Sequence, residues 1–475
     1  MNGVKFMPSN IVIVGAGEVG RSVAKRLSSD GHNIYIVEKD EARAASAGEE
    51  LDVEVIRGNG ARPQVLALAD IVPGGDVDVF IACTDRDEVN MLSCWIARNA
   101  GVPQVISRTR SLEFTDSPEW GKKLGIDAMI SPERSIAREI LGLFEVLGAT
   151  HTAELLDRQA ALYTLKISED SPLNGMALKD IRQKFPKLVA VLVYVEHEDG
   201  VSGVPNGFTV LKAGDVCYAV TYRKSVELMQ ELFQPGTAGK AKHDAGKIFI
   251  VGGGKLGTQI ALMLKRDYGN VSLRIIDNDR DRCKRLSEEF GDALVINTDG
   301  ADSRTLDEEG IDGADAYVCA TDSDEVNMIY CALAKKMGAK KTIAVVKRKD
   351  YQSLIGSVPV DAIVDPNASL ANVILKYVRY KNHALAYSMM ENIGAEMLEV
   401  VLSEDVPLCG KTLAQIKLKK GAVVALIGRK NEILVPDGST YLLAGDHVIL
   451  FALTDMMPET AKLFGAEFLV NGHED

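Results

Sequence analysis

The sequence predicts an α/β fold built twice, with two tandem doubly wound parallel sheets, each followed by a small α+β lobe. Three observations carry that prediction. IVIVGAGEVG (Ile11 to Gly20) recurs as IFIVGGGKLG (Ile248 to Gly257), and ACTDRDEVNM (Ala82 to Met91) recurs as CATDSDEVNM (Cys319 to Met328). Both blocks are displaced by 237 residues, so the duplicated unit is a whole domain rather than a motif. Third, short β-branched runs alternate with segments of helical period, the pattern of βαβ units.

In the first copy the strands are expected at Asn10 to Val14, Asn33 to Val37, Val53 to Ile56, Val77 to Ala82, Gln104 to Ser107 and Ala128 to Ile130. Helices are expected between them at Val19 to Ser29, Glu41 to Glu49 and Glu88 to Ala100. The region after each large lobe reads as short strands around one or two helices, for example Tyr163 to Ile167, Val189 to Val193 and Val216 to Val220. It too is repeated: DSPLNGMALKDI (Asp170 to Ile181) answers DVPLCGKTLAQI (Asp405 to Ile416), and VPNGFTVLKAGDVCYAV (Val204 to Val220) answers VPDGSTYLLAGDHVILF (Val435 to Phe451).

Four lobes follow, at residues 9–134, 152–235, 246–367 and 386–470. PGTAGKAKHDAG (Pro235 to Gly246) has no apolar period and reads as the linker between halves. An amphipathic stretch joins large to small lobe at Glu133 to Leu147 and again at Asn367 to Lys381. Such a stretch suits either a lever or dimer contact, or packing against its own sheet.

Composition excludes several classes. With 46% hydrophobic, 25% charged and 6% aromatic residues, the 475-residue chain is globular rather than disordered or fibrous. A net charge of −13 without a basic block argues against holding a nucleic-acid backbone. No apolar run is long enough to span a bilayer, and MNGVKFMPSN lacks the core of a signal peptide. The seven cysteines are scattered without a CxxC pair and the seven histidines without an HExxH, so neither a disulfide framework nor a metal site is expected, and the thiols read as buried and reduced.

The chemistry lies in the glycine loops. With 42 glycines in the chain, three at GxGxxG spacing arise by chance about 0.3 times, so context must decide. Both loops follow a predicted strand, open a predicted helix, and precede a strand ending in an acid, Glu38 in YIVEKD and Asp277 in RIIDND. That is the Rossmann arrangement. Gly15 and Gly252 make the tight turn, Gly17 and Gly254 let the backbone approach a pyrophosphate, and Gly20 and Gly257 permit close helix–sheet packing. Ala16, Glu18, Val19, Gly253, Lys255 and Leu256 complete the two phosphate loops, whose helix N–H groups can hold phosphate. Glu38 and Asp277 can accept ribose hydroxyls and would repel a 2′-phosphate, which favours NAD(H) or an adenine mononucleotide such as ATP or ADP over NADP, although Lys39 stands beside Glu38.

The fourth loop position is Glu18 in one copy and Lys255 in the other, so the second site is expected to prefer the more highly charged nucleotide. TDRDEVN and TDSDEVN read as helix starts, with Asp85 capping towards Glu88 and Asp322 towards Glu325. The same placement brings Thr84, Asp85, Thr321 and Asp322 to the carboxyl end of the fourth strand, where ligands bind in open α/β sheets. Arg108 and Arg110 in SRTR, and Lys347 to Lys349 in KRK, follow the fifth strand; a cation there meets a phosphate, a neighbouring subunit or solvent.

Two glycine-rich lobes carrying TDxDEVNM, each followed by a small lobe with PLxG and AGD, resemble the RCK (KTN) family over nearly the whole chain. The resemblance implies an RCK_N lobe followed by an RCK_C lobe in each half, with NAD(H) or ATP/ADP bound in the RCK_N lobes. It implies a cytoplasmic homo-oligomeric ring, a homotetramer of tandem chains, peripheral on the inner face of the plasma membrane beneath an integral potassium-translocating subunit of TrkH or TrkG type. Site residues carried over are Gly15, Gly17, Gly20, Glu38, Thr84 and Arg108, then Gly252, Gly254, Gly257, Asp277 and Thr321. After the third strand the family shows a GD-type turn; Gly58-Asn59-Gly60 and Thr298-Asp299-Gly300 each keep part of it, which places Asn59 and Asp299 near an adenine.

Two other functions compete with this expectation. An NAD-dependent oxidoreductase needs an acid/base group over its nicotinamide, and the duplicated small lobes share no His, Lys or Cys constellation; His197 and His447 do not align. The same fold would also serve a cyclic dinucleotide sensor or a regulator of another cation transporter.

Overall fold

A computed structural model describes residues 8–237, 246–268, 270–352, 357–380, 384–430 and 432–466. Residues 238–245 of the expected linker, residues 1–7 of the amino terminus, Lys381, and residues 467–470 of the last expected lobe lie outside the described residues.

Two six-stranded sheets run in the spatial order third, second, first, fourth, fifth, sixth. The first comprises Asn10–Val14, Asn33–Glu38, Glu54–Arg57, Val79–Ala82, Gln104–Arg108 and Ala128–Ile130, all paired in parallel. The second comprises Lys247–Val251, Ser272–Asp277, Leu294–Asn297, Ala316–Cys319, Thr342–Val345 and Ala362–Val364. Central strands are apolar on both faces because helices cover both; Ile11, Val12 and Ile13 are fully buried. The strand order reverses between first and fourth strands, and there the carboxyl ends splay to leave a crevice. Each glycine loop starts at that point, since the first strand ends at Val14 or Val251.

The small lobes are five-stranded antiparallel sheets. The first contains His151–Leu155, Ala160–Lys166, Ala190–Glu196, Ser202–Gly203 and Val216–Tyr222, and the second Ala384–Met390, Ala395–Val401, Ala422–Arg429, Glu432–Leu434 and His447–Leu453. Leu162, Val193 and Val220 of the first share one buried cluster with Met397, Leu426 and Phe451 of the second. The AGD aspartates are buried turn anchors. Asp215 accepts from Lys212 N and from His197, while Asp446 accepts from Leu443 N and from the Arg429 guanidinium. Strand register makes His197 the counterpart of Arg429, which is why His197 and His447 do not align.

The chain divides into two compact units. One holds the first large sheet, up to Ser135, together with Asn367–Ala384; the other holds Ile136–Pro366 and Leu385–Ala466. The joining helices, Pro132–Phe144 and Pro366–Tyr380, are thereby exchanged. Ile136, Ile140, Leu141 and Leu143 pack in one cluster with Ile248, Ile260 and Leu264 of the second large lobe. In the first unit, Arg379 pairs with Asp30, and Gln104 Nε2 donates to Tyr377 O at 2.7 Å. Packing against its own sheet, one of the expected roles, is therefore not what the joining helix does: its apolar face covers the sheet of the other copy.

Candidate functional site

In the first large lobe, Gly15 takes φ +108°, a conformation costly for other residues, and donates its N–H to Val37 O at 2.9 Å. The loop then enters the helix Glu18–Ser29, whose N-cap Gly17 offers no side chain to the helix N–H groups. Val19 and Gly20 are buried beneath it, and a Cβ on Gly20 would collide with Gly15 O. Glu38 is buried at the end of the second strand, accepting from Ala16 N at 2.7 Å and from Asp40 N at 2.9 Å. Thus the loop holds the carboxylate and the carboxylate holds the loop. Glu18, exposed, turns aside to accept from Asn367 Nδ2.

The second lobe repeats this geometry. Gly252 takes φ +96°, Gly254 is the N-cap of the helix Lys255–Asp267, and Gly257 touches Gly252 O as Gly20 touches Gly15 O. Lys255 is exposed at the helix start and Leu256 is half-buried. Asp277 accepts from Gly253 N at 2.7 Å and from Asp279 N at 2.8 Å, and also from Arg282 Nη1 at 2.8 Å.

At the fourth strand end the structure corrects the capping expectation. Helix Asp87–Ala100 has N-cap Arg86 with no side-chain cap, and helix Asp324–Lys336 is capped by Ser323 Oγ from Val326 N. Asp85 and Asp322 are exposed just beyond the strand and cap neither helix. Asparagine organises this loop instead. Asn90, fully buried, accepts from Thr84 N and Oγ1 and donates to Thr84 O and Arg108 O. Asn327 makes the same four bonds to Thr321 and Val345 O. Its amide is thereby saturated, which gives the asparagine of DEVN the same task in both copies.

The same bonds show that Arg108 corresponds to Val345, so Lys347 is the counterpart of Arg110 and the second site has no strand-end arginine. Arg108 ends its strand rather than following it, and burial, reinforced by Arg110, pulls its guanidinium below the ordinary value. Arg110 is engaged by Glu133 at 3.0 Å. Cys83, beneath the first loop, has its thiol pushed up to about 12 by burial and is no nucleophile. All seven cysteines are free and six are buried.

Asn59 and Asp299 are exposed in the loops after the third strands, each accepting from the N–H two residues on. Gly60 and Gly300 press those loops against Val14 and Val251, beside the glycine loops. A hydrogen bond from Tyr330 holds the Asp299 carboxyl below its usual range. The residues sequence reasoning missed are Asn90, Asn327 and Arg282. The asparagines were visible as repeated letters within a helix start; Arg282 was visible only as one charge among several in RDRCKR.

In chemical terms each crevice offers a helix start with open N–H groups for an anion and, beside it, a buried carboxylate for hydroxyl groups.

Comparison with known proteins agrees with this architecture. The TrkA-N domain family matches residues 11–132 and 248–366, and the TrkA-C domain family matches residues 397–465. A Trk system potassium uptake protein TrkA of Azorhizobium caulinodans is 30% identical over 460 residues, covering 96% of this chain and 98% of that protein. Homologues from Methanosarcina mazei and Archaeoglobus fulgidus are each 32% identical, over 95% and 96% of this chain and 99% of theirs. Among solved structures, the GsuK RCK domain is similar with TM-score 0.58 and 20% identity, over 97% of this chain and 96% of that one. The GsuK channel bound to NAD is similar with TM-score 0.58 and 21% identity, over 97% and 80%. With the TrkA-N domain present twice, and relatives of this identity matching almost end to end, the chain belongs to the TrkA family of Trk system potassium uptake proteins.

Proposed function

We propose that the chain is a nucleotide-binding regulatory subunit that gates a membrane potassium uptake transporter of the Trk type. One observation carries the reading: a Cβ added at Gly17 or Gly254 would meet nothing within 4 Å, and beside each opening the loop's own N–H holds a buried carboxylate. A pyrophosphate fits the opening and ribose hydroxyls fit the carboxylate, the chemistry of NAD(H) or ATP/ADP. The residues proposed to line the sites are Gly15 to Gly20, Glu38, Asn59, Thr84, Asp85 and Arg108, and Gly252 to Gly257, Asp277, Asp299, Thr321, Asp322 and Lys347. A GsuK channel of the same fold is bound to NAD.

Regulation is favoured over catalysis because the site is present twice while its surroundings differ, with Arg108 in one copy and Val345 in the other. Among the described residues no helix is long and apolar enough to cross a membrane, so in this reading an integral TrkH- or TrkG-type subunit supplies the pore and the chain sits on its cytoplasmic face. Exposed Leu92 and Trp95 on one helix, and Ile329 at the place equivalent to Leu92 on the other, support self-association into a ring, taken as a homotetramer. Nucleotides then act by binding one ring state more tightly than another, and can shift the gate only by that difference.

Potassium flux through the reconstituted membrane subunit, measured with each nucleotide in turn, is expected to change by about fivefold or more between ligands. Equal flux with every nucleotide and with none would overturn the reading. At the residue level, Gly17→Ala and Gly254→Ala are expected to keep thermal stability within about 1 kcal/mol, since both glycines have φ −68° and open space, while weakening nucleotide binding at their own site at least about tenfold. Gly20→Ala should instead lower stability, because its Cβ meets backbone. Calorimetric titration beside thermal unfolding separates the two behaviours.

A further inference from the structure

The two carboxylates at the ribose positions are not alike. Glu38 is held by backbone N–H groups alone among the described residues. Asp277 has the corresponding two N–H bonds and a third from the Arg282 guanidinium. The helix caps fix the equivalence of the arginines: Arg43 N donates to Asp40 Oδ1 at 2.9 Å and Arg282 N to Asp279 Oδ1 at 2.9 Å. Arg43 nevertheless stands exposed, whereas Arg282 is folded back over the strand end. Two sequence differences accompany this: an aspartate stands in place of the glutamate, and Gly253 in place of Ala16, where a Cβ would collide with Leu286 and make only an ordinary contact, 3.6 Å, with Arg282 Cδ. The carboxylates of Asp277, Asp279 and Asp322 together keep the Arg282 guanidinium firmly charged.

A carboxylate whose charge is unopposed repels a phosphate on the ribose 2′-oxygen, while one paired with a guanidinium repels it much less. Arginine presents five N–H donors, and the bond to Asp277 takes one, so donors remain for phosphate oxygens. Lys39 in the first lobe offers no equivalent, because it is exposed and its charge is screened by water.

Building on the nucleotide-binding reading above, we propose that the second site, and not the first, admits an adenine dinucleotide carrying a 2′-phosphate, with Arg282 as the residue that sets this specificity. The first site then takes dinucleotides with free ribose hydroxyls, and one chain responds to two chemically distinct pools.

The full chain is titrated with NADPH and, separately, with NADH, following nicotinamide fluorescence and binding stoichiometry. One NADPH per chain is expected, lost in Gly254→Ala. Arg282→Ala is expected to lower the affinity ratio of NADPH to NADH at least tenfold, because it removes the phosphate's partner and frees a lone pair of Asp277 for a hydroxyl. The reverse variant, Ala16→Gly with Glu38→Asp, is expected to raise NADPH stoichiometry towards two. Saturable NADH binding with no NADPH binding, two NADPH per wild-type chain, or an unchanged ratio in Arg282→Ala would each overturn the specificity proposal while leaving nucleotide binding in place. Binding of neither dinucleotide nor of ATP or ADP would overturn the nucleotide-binding reading, and this proposal with it.

Discussion

Replacing Arg379 by alanine is expected to cost the first unit about 3–5 kcal/mol, because it removes the fully buried guanidinium that makes two hydrogen bonds to the largely buried Asp30 carboxylate. Arg379 is fully buried, with Nε at 2.9 Å and Nη2 at 2.6 Å from Asp30 Oδ2. Asp30 is the C-cap of the glycine-loop helix, and Arg26 reaches its other oxygen only at 3.6 Å. The neighbouring His32 has its pKa held below the ordinary value chiefly by burial, which the substitution leaves in place, while Asp30 pulls it up and Arg379 pushes it down. Both tryptophans of the chain, Trp95 and Trp120, lie in this unit, so denaturant titration followed by tryptophan fluorescence reports it selectively. The double variant Asp30→Ala with Arg379→Ala should recover part of the loss, since the carboxylate that lost its guanidinium is then gone. A loss under about 1 kcal/mol in Arg379→Ala would show that the exchanged helix is not anchored there.

The second large effect is on the pH dependence of the other unit. Lys341 is fully buried at the entrance to the strand Thr342–Val345, donating to Val146 O at 2.6 Å and Ala149 O at 2.9 Å, the turn that follows the helix Pro132–Phe144. Burial lowers its pKa from the ordinary 10.5 to about 7; Asp361 opposes the shift and Lys335 adds to it. An unfolded chain keeps this proton up to about 10.5 and the folded chain releases it near 7, so between those values the unfolded state binds more protons. Stability therefore rises with pH across that window, by about 1.4 kcal/mol per unit and about 5 kcal/mol in all, and the full cost is present below pH 7. The neutral amine retains two N–H donors, matching the two carbonyls. Urea unfolding followed by circular dichroism at a series of pH values should show this slope in the wild type and its loss in Lys341→Met. Equal slopes in the two proteins would sink the assignment.

Much of the fold was legible because its signals are local. Asn10–Val14 and Ala128–Ile130 were predicted to the residue, since an apolar β-branched run between polar breaks has one reading as a buried strand. The glycine loops were legible for a different reason. A left-handed Gly15 and a Cβ-free Gly20 are demands of backbone geometry that only glycine meets, so the spacing is written in the letters. Asp85 and Asp322 misled because an acid three residues before a glutamate is a sound capping pattern; the helices begin two residues later, where Asp87 and Asp324 accept from the N–H groups that follow the fifth strand. Arg108 and Lys347 are both cations at the end of a fifth strand, yet the displacement of 237 residues pairs Arg108 with Val345 and Arg110 with Lys347, and the hydrogen bonds of Asn90 and Asn327 agree.

By itself the sequence determined that the chain is two copies of a large and a small lobe, that each large lobe opens a glycine loop beside a carboxylate, and that the copies differ in charge at the loop. These are properties of near neighbours along the chain, where periodicity and backbone sterics act. Only the tertiary structure decided that the joining helices are exchanged between copies, because an apolar helix face specifies that it must be covered and not which sheet covers it. It also decided that Arg282 neutralises Asp277 while Arg43 leaves Glu38 alone. That contrast is one of side-chain placement in three dimensions, with one guanidinium within hydrogen-bonding distance of the carboxylate five residues before it and the other exposed.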